Sequence, residues 1–149
     1  MIGVSSCLCG INCKYNGKNN LEPIFLQLLN EGKLVPICPE QLGGLKTPRV
    51  PAEIQEDENK KRKVINKDGI DVTSEYSLGA ERTLEILKAL DIKKVIFRRR
   101  SPSCGCGEIY DGSFTGTIVN GNGITSELLL KNGIEVITDE EYIKKLENR

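Results

Sequence analysis

Four short, nearly continuous apolar runs punctuate the chain: MIGVSS at 1–6, KLVPI at 33–37, KKVIF at 93–97 and IEVIT at 134–138. Each is too short for a core helix and is bounded by turn-forming or charged residues, a pattern that predicts four buried strands. Between them the apolar period changes. Leu21, Ile24, Phe25, Leu28 and Leu29 recur at helical spacing, with Gly32 as the stop. The stretch from Ser74 to Asp91 repeats that spacing at 76, 80, 84, 87 and 90, and Thr73 before it is the predicted N-cap. A further helix is predicted near 124–132, and a terminal one begins at Asp139.

Two stretches depart from the alternation. CPEQLGGLKTPRVPAEI (38–54) is so rich in Gly and Pro that it reads as a long loop, a kind of segment that often carries function. QEDENKKRKVINKDGIDVT (55–73) reads as a charged excursion with one or two edge strands, turning at Asp68-Gly69; its balanced charge is that of a solvated face.

Strands alternating with helices predict a three-layer α/β/α fold, Rossmann-like (flavodoxin-like), with a mostly parallel sheet in which the four runs take the order 2-1-3-4. Residues 1–149 are expected to form a single domain. Ligands of such sheets bind beyond the carboxyl ends of the strands. Cys7, Cys38 and Cys104 fall at or just past the ends of the first, second and third runs. With neighbouring strands about 4.8 Å apart, these three thiols can line one site.

Composition sharpens the chemistry. The chain has no histidine, which removes Ser-His-Asp and Cys-His catalysis and every His-containing zinc site. Lys plus Arg and Asp plus Glu both total 21, so the broad basic surface of a nucleic-acid binder is not expected. Neither a signal peptide nor a membrane span is recognisable, and the expected location is cytoplasmic. In a reducing compartment six cysteines point to metal or redox chemistry rather than to a disulfide framework.

Three thiolates would leave one coordination position open on a metal or cluster, the mark of a catalytic rather than a structural centre. Sulfur ligands suit iron-sulfur clusters or zinc, and with neither a C-x-x-C pair nor a ferredoxin run the spacing leaves both open. Taken singly, a cysteine at a strand end is more often a small buried hydrophobe. Cys9, Cys13 and Cys106 could form a second metal site, accept sulfur, or simply lie nearby; a Cys104–Cys106 dithiol would need a strained ring. Arg98, Arg99 and Arg100 leave a strand, where side chains alternate, so they are not expected to converge on one ligand. The glycines at 43, 44, 105 and 107 are expected to serve turns rather than to cradle phosphate.

SSCLCG with KYNG, CPEQLGGLKTPRVPAEI, DGIDVT, SPSCG, YDGSFTG and GNGITSELLLKNGIEV, in that order, resemble the domain of unknown function 523 family over nearly the whole chain. Members of that family are identified as thiouracil desulfidases (TudS-like). The resemblance implies a 4Fe-4S cluster held by Cys7, Cys38 and Cys104, with an open iron that binds the substrate's sulfur. It implies hydrolysis of 4-thiouracil or a related thiolated pyrimidine to uracil and hydrogen sulfide without net redox. Glu40 and Ser101 then match the family's acid-base pair, and Ser103, Lys14 and Arg49 are candidate substrate-binding residues. Cluster-assembly machinery is an implied partner. Relatives acting on thiolated transfer RNA carry an additional domain absent from this sequence, which favours a small substrate while thiolated RNA stays open. The chain departs from the family pattern at Cys9, usually apolar, at Lys14, usually arginine, and at Asn16, often aspartate. A metal-bound sulfur carrier or sensor using the additional cysteines, with zinc in place of the cluster, is the alternative.

Overall fold

The apolar runs pair as strands because each carries at least two β-branched residues, which favour the pleated backbone, on one face in the first two runs and on both faces in the last two. The computed structural model describes residues 1–149. In chain order the elements are β1 (Ile2–Ser5), α1 (Pro23–Asn30), β2 (Leu34–Ile37), α2 (Pro39–Leu42), β3 (Ala52–Glu56), β4 (Arg62–Asn66), α3 (Thr73–Ala89), β5 (Lys94–Phe97), β6 (Glu108–Tyr110), β7 (Ile118–Asn120), α4 (Ile124–Lys131), β8 (Glu135–Thr138) and α5 (Asp139–Glu147). A single 3-10 turn over Ser6–Cys9 follows β1.

The fold is mixed α/β, with a central four-stranded sheet ordered β2-β1-β5-β8 whose neighbours are all parallel. Strand alternation sends its side chains to two cores. Val4, Ile96 and Ile137 meet Leu8, Phe25 and Leu34 on one face, with Tyr142 and Ile143 of α5 packed alongside. Val95, Phe97 and Val136 meet Leu87 of α3 and Leu129 of α4 on the other. Phe97, Leu87, Leu129 and Val95 are fully buried, each contributing about 1.5–3 kcal/mol of transfer free energy.

Several details differ from expectation. The Gly- and Pro-rich stretch after β2 holds one helical turn, α2, started by Pro39 at a position where the missing N–H costs nothing, and its end enters β3. The charged excursion is an antiparallel β3–β4 hairpin separate from the central sheet rather than an edge of it. A second small hairpin, β6–β7, lies within the glycine-rich segment, where no strand was expected. Thr73 is the first helical residue instead of the cap: Asp71 accepts its N–H at 2.9 Å, while its hydroxyl accepts the N–H of Val64 at 2.9 Å.

Gly43 serves close packing, not a turn. A Cβ there would sit 1.9 Å from the Glu75 carbonyl oxygen, and one on Gly79 would sit 2.0 Å from that of Pro39. Helices α2 and α3 therefore touch backbone to backbone. Gly79→Ala is expected to force them apart and to lower stability by ~3 kcal/mol, the upper end of ordinary overpacking, measured as a lower urea midpoint.

Candidate active site

Parallel strands put their carboxyl ends on one side, and a cavity of about 460 Å³ opens there. Its wall includes all eight residues singled out as candidates: Cys7, Lys14, Cys38, Glu40, Arg49, Ser101, Ser103 and Cys104. Cys7 lies in the 3-10 turn after β1, Cys38 directly follows β2, and Cys104 lies in the loop after β5. Strand β1 pairs with both β2 and β5, which brings the three connections together.

The loop bearing Cys104 is held by its own first serine and by helix α4. The Ser101 hydroxyl oxygen accepts the N–H groups of Ser103 at 3.1 Å and Cys104 at 2.7 Å. Orphan N–H groups at the start of α4 are satisfied by the loop itself: Ile124 donates to Pro102 at 2.8 Å and Thr125 to Ser103 at 3.0 Å. Gly123 permits this approach, since a Cβ would lie 2.5 Å from the Ser103 carbonyl.

Glu40 is the polar centre. Its Oε1 accepts from Arg49 Nε at 3.0 Å and from the Tyr76 hydroxyl at 2.9 Å, and its Oε2 accepts from the Ser103 hydroxyl at 2.8 Å. Ser103 has one hydroxyl proton. With that proton given to Glu40, the 3.1 Å contact between the two serines is Ser101 donating to Ser103. A directed chain results, from Ser101 through Ser103 to the carboxylate. Arg49 also donates to the carbonyl of Cys13 at 2.9 Å and to the Thr47 hydroxyl at 3.0 Å, so it braces two loops against Glu40. Lys14 lies over the Tyr15 ring, 5.6 Å from its centre.

The thiols are not equivalent. Cys13 is buried on the cavity wall close to Cys7 and Cys38, and the Cys38 thiol points at the Cys13 carbonyl at 3.9 Å. The neighbouring Cys13 thiol, opposed by burial and helped by the Gln41 backbone, lowers the Cys38 thiol to about 7. Cys7 is lowered too, by Cys13 first and against burial, with Asn20 donating to its sulfur at 3.4 Å. Cys13 itself is pushed up, by Cys38 first and then by Cys7. Burial pushes Cys104 up, and hydrogen bonds from Ser5 and Ser103 oppose it. Cys9 and Cys106 stand apart: the first points at the Phe25 carbonyl in the core, the second at that of Val136. All six thiols are free.

The donor set suits a thiophilic metal or cluster. Four thiols line one cavity, yet no three thiol or carboxylate side chains converge as closely as ligands of a single metal ion do. All three arginines border the cavity, and each is paired with carboxylates: Arg100, at φ +63°, reaches Glu108 and Glu140 at 3.9 Å. Arg98 and Arg99 converge on the buried Asp139 at 3.1 and 3.2 Å. Tyr76 is the site residue that sequence reasoning passed over, entering only as an apolar helix position, while Cys13, whose role was left open, lies on the cavity wall. Nothing in the sequence separated Tyr76 from the other apolar positions of its helix.

Comparison with known proteins places these residues in context. The 2-thiouracil desulfurase family model matches residues 2–141. The uncharacterized protein YbbK of Bacillus subtilis is 44% identical over 146 residues, covering 95% of this chain and 97% of that protein. The solved structure of the [4Fe-4S]-dependent thiouracil desulfidase TudS superposes with a TM-score of 0.86 at 38% identity, over 96% of this chain and 93% of that one.

The thiol contrast is directly measurable. In protein stripped of metal by chelation, alkylation of Cys38 is expected to rise through pH about 7, below the pH at which an ordinary thiol reacts, because it is the thiolate that attacks. Peptide mapping after iodoacetamide treatment across pH reads this, and Cys9, raised to about 11 by burial, is the internal control that reacts only at much higher pH than Cys38.

Proposed function

Because the chain belongs to the 2-thiouracil desulfurase family, we propose that this desulfidase hydrolyses a thiolated pyrimidine, 4-thiouracil or a close relative, to uracil and hydrogen sulfide at a 4Fe-4S cluster held by Cys7, Cys38 and Cys104. The observation that carries the reading is the Ser101–Ser103–Glu40 chain opening into a cavity walled by thiols. The cluster, when bound, supplies an open iron for the substrate's sulfur and polarises the thiocarbonyl as a Lewis acid.

The protein's own groups do the remaining work. Water adds its oxygen to the ring carbon, the carbon–sulfur bond breaks, and the two water protons leave with the sulfur as hydrogen sulfide; no electrons are exchanged. A proton from water enters at Ser101, whose oxygen gives up its weaker contact from the Ser103 N–H to receive it; Ser101 hands its own proton to Ser103 as Ser103 hands its own to Glu40 Oε2, and reversal returns a proton to the departing sulfur. Oε1 is occupied by Arg49 and Tyr76, so Oε2 is the oxygen that accepts. Arg49 thereby holds the acid in place; Lys14 stands on the wall as a substrate contact.

The finer fold reading, a three-layer flavodoxin-like arrangement of residues 1–149 as one desulfidase domain, agrees with the helices packed on both sheet faces. No helix is long and apolar enough to cross a membrane, consistent with a cytoplasmic setting in which cluster-assembly machinery loads the protein. A sulfur carrier built from the additional cysteines is less well supported, since Cys9 and Cys106 face away from the cavity that Cys13 lines.

Anaerobic reconstitution with iron and sulfide tests the reading. About four irons per chain and loss of thiouracil absorbance are expected, with both 2- and 4-thiouracil assayed; zinc in place of iron, or iron without turnover on either, would reject it. Glu40→Gln and Ser101→Ala are each expected to keep the iron and lose turnover by ~10²–10⁴-fold. Serine at Cys7, Cys38 or Cys104 is expected to lose the iron itself.

A further inference from the structure

We propose that Tyr76 is a positioning residue for the desulfidase reaction: standing on α3, it fixes the carboxylate of Glu40 so that one oxygen is sealed and the other faces Ser103. The inference rests on the desulfidase reading and assigns a residue to it that neither the CPE nor the SPSCG motif contains.

Glu40 sits on a helix of four residues, too short to hold a side chain rigidly by its own hydrogen bonds. Two donors share its Oε1. Arg49 comes from a loop, whereas Tyr76 comes from a helix of 17 residues and is itself buried against Ile54, Val64 and Ile109. Of the two donors, the phenol is the one with a rigid mount.

The sequence spacing shows how the two helices meet. Gly43 lies three residues after Glu40 and Gly79 three residues after Tyr76, a separation that puts each glycine on the same face of its helix as the polar residue. The backbones touch at the two glycines, where any Cβ would collide with a carbonyl. One turn away along that shared face, the phenol oxygen meets Glu40 Oε1 at 2.9 Å. The close approach thus sets the height at which the tyrosine reaches the carboxylate. With Oε1 held from that side, Oε2 is directed at the Ser103 hydroxyl, 2.8 Å away on the opposite wall. Removing the phenol oxygen leaves Arg49 as the only donor to Oε1, so that side of the carboxylate is held by one hydrogen bond, from a loop, instead of two.

The test compares anaerobically reconstituted wild type with Tyr76→Phe and Val64→Ala. Val64 packs in the same buried cluster as Tyr76 but does not line the cavity. Tyr76→Phe is expected to retain iron and KM for thiouracil while kcat falls roughly ten- to hundredfold, the cost of a misplaced catalytic group. Val64→Ala is expected to lower Tm and leave kcat unchanged. An unaltered kcat in Tyr76→Phe, or an equal loss in Val64→Ala, would overturn the inference. A crystal structure of Tyr76→Phe gives a second readout that is independent of turnover: Glu40 Oε2 displaced from Ser103 supports the positioning role, and an unmoved carboxylate refutes it. Wild type that binds iron yet turns over no thiouracil would reject the desulfidase reading, with the carboxylate's position still deciding the role of Tyr76.

Discussion

The carboxylate of Glu40 ties the site together. Three hydrogen bonds converge on it from three parts of the chain: Arg49 in the loop after α2, Tyr76 on α3, and Ser103 in the loop after β5. A half-buried carboxylate so held is strongly oriented, because each donor is replaced by nothing if the group turns away. Through Arg49 the same carboxylate reaches the carbonyl of Cys13, and through Ser103 it reaches the loop of Cys104. Carboxylate and thiol-bearing loops are therefore one hydrogen-bonded assembly, and displacing either disturbs the other.

The central sheet makes that assembly possible. Pairing β1 between β2 and β5 sets three chain connections side by side, and each delivers a thiol to the cavity. Close backbone contacts then fix depth. Gly43 against Gly79 seats the carboxylate, and Gly123 against Ser103 seats the serine loop. The thiols differ as well: the neighbouring Cys13 favours the thiolate at Cys38 and Cys7, while Cys13 itself is pushed up. Thiolate is the form that ligates iron or zinc.

Much of this was legible in the sequence. The four apolar runs are four strands of the central sheet, and the cysteines at three strand ends do share a cavity with Glu40, Ser101 and Ser103. What escaped has physical causes. Helix α2 hides in a Gly- and Pro-rich stretch because its stability comes from docking on α3, a tertiary contact with no periodic signature. The β6–β7 strands have three residues each, too few to show alternation. Tyr76 carries an apolar ring and a polar tip, so a reading by hydrophobic period assigns it to the core and misses its hydrogen bond.

The central claim is that water, activated along the Ser101–Ser103–Glu40 chain, replaces sulfur on a pyrimidine ring without electron transfer. Mass spectrometry of the uracil formed from 4-thiouracil by reconstituted protein in oxygen-18 water, with no reductant present, tests it most directly. The account predicts one solvent oxygen in each uracil and one sulfide released for each uracil formed. Turnover that demands a reductant, or uracil without solvent oxygen, would contradict it.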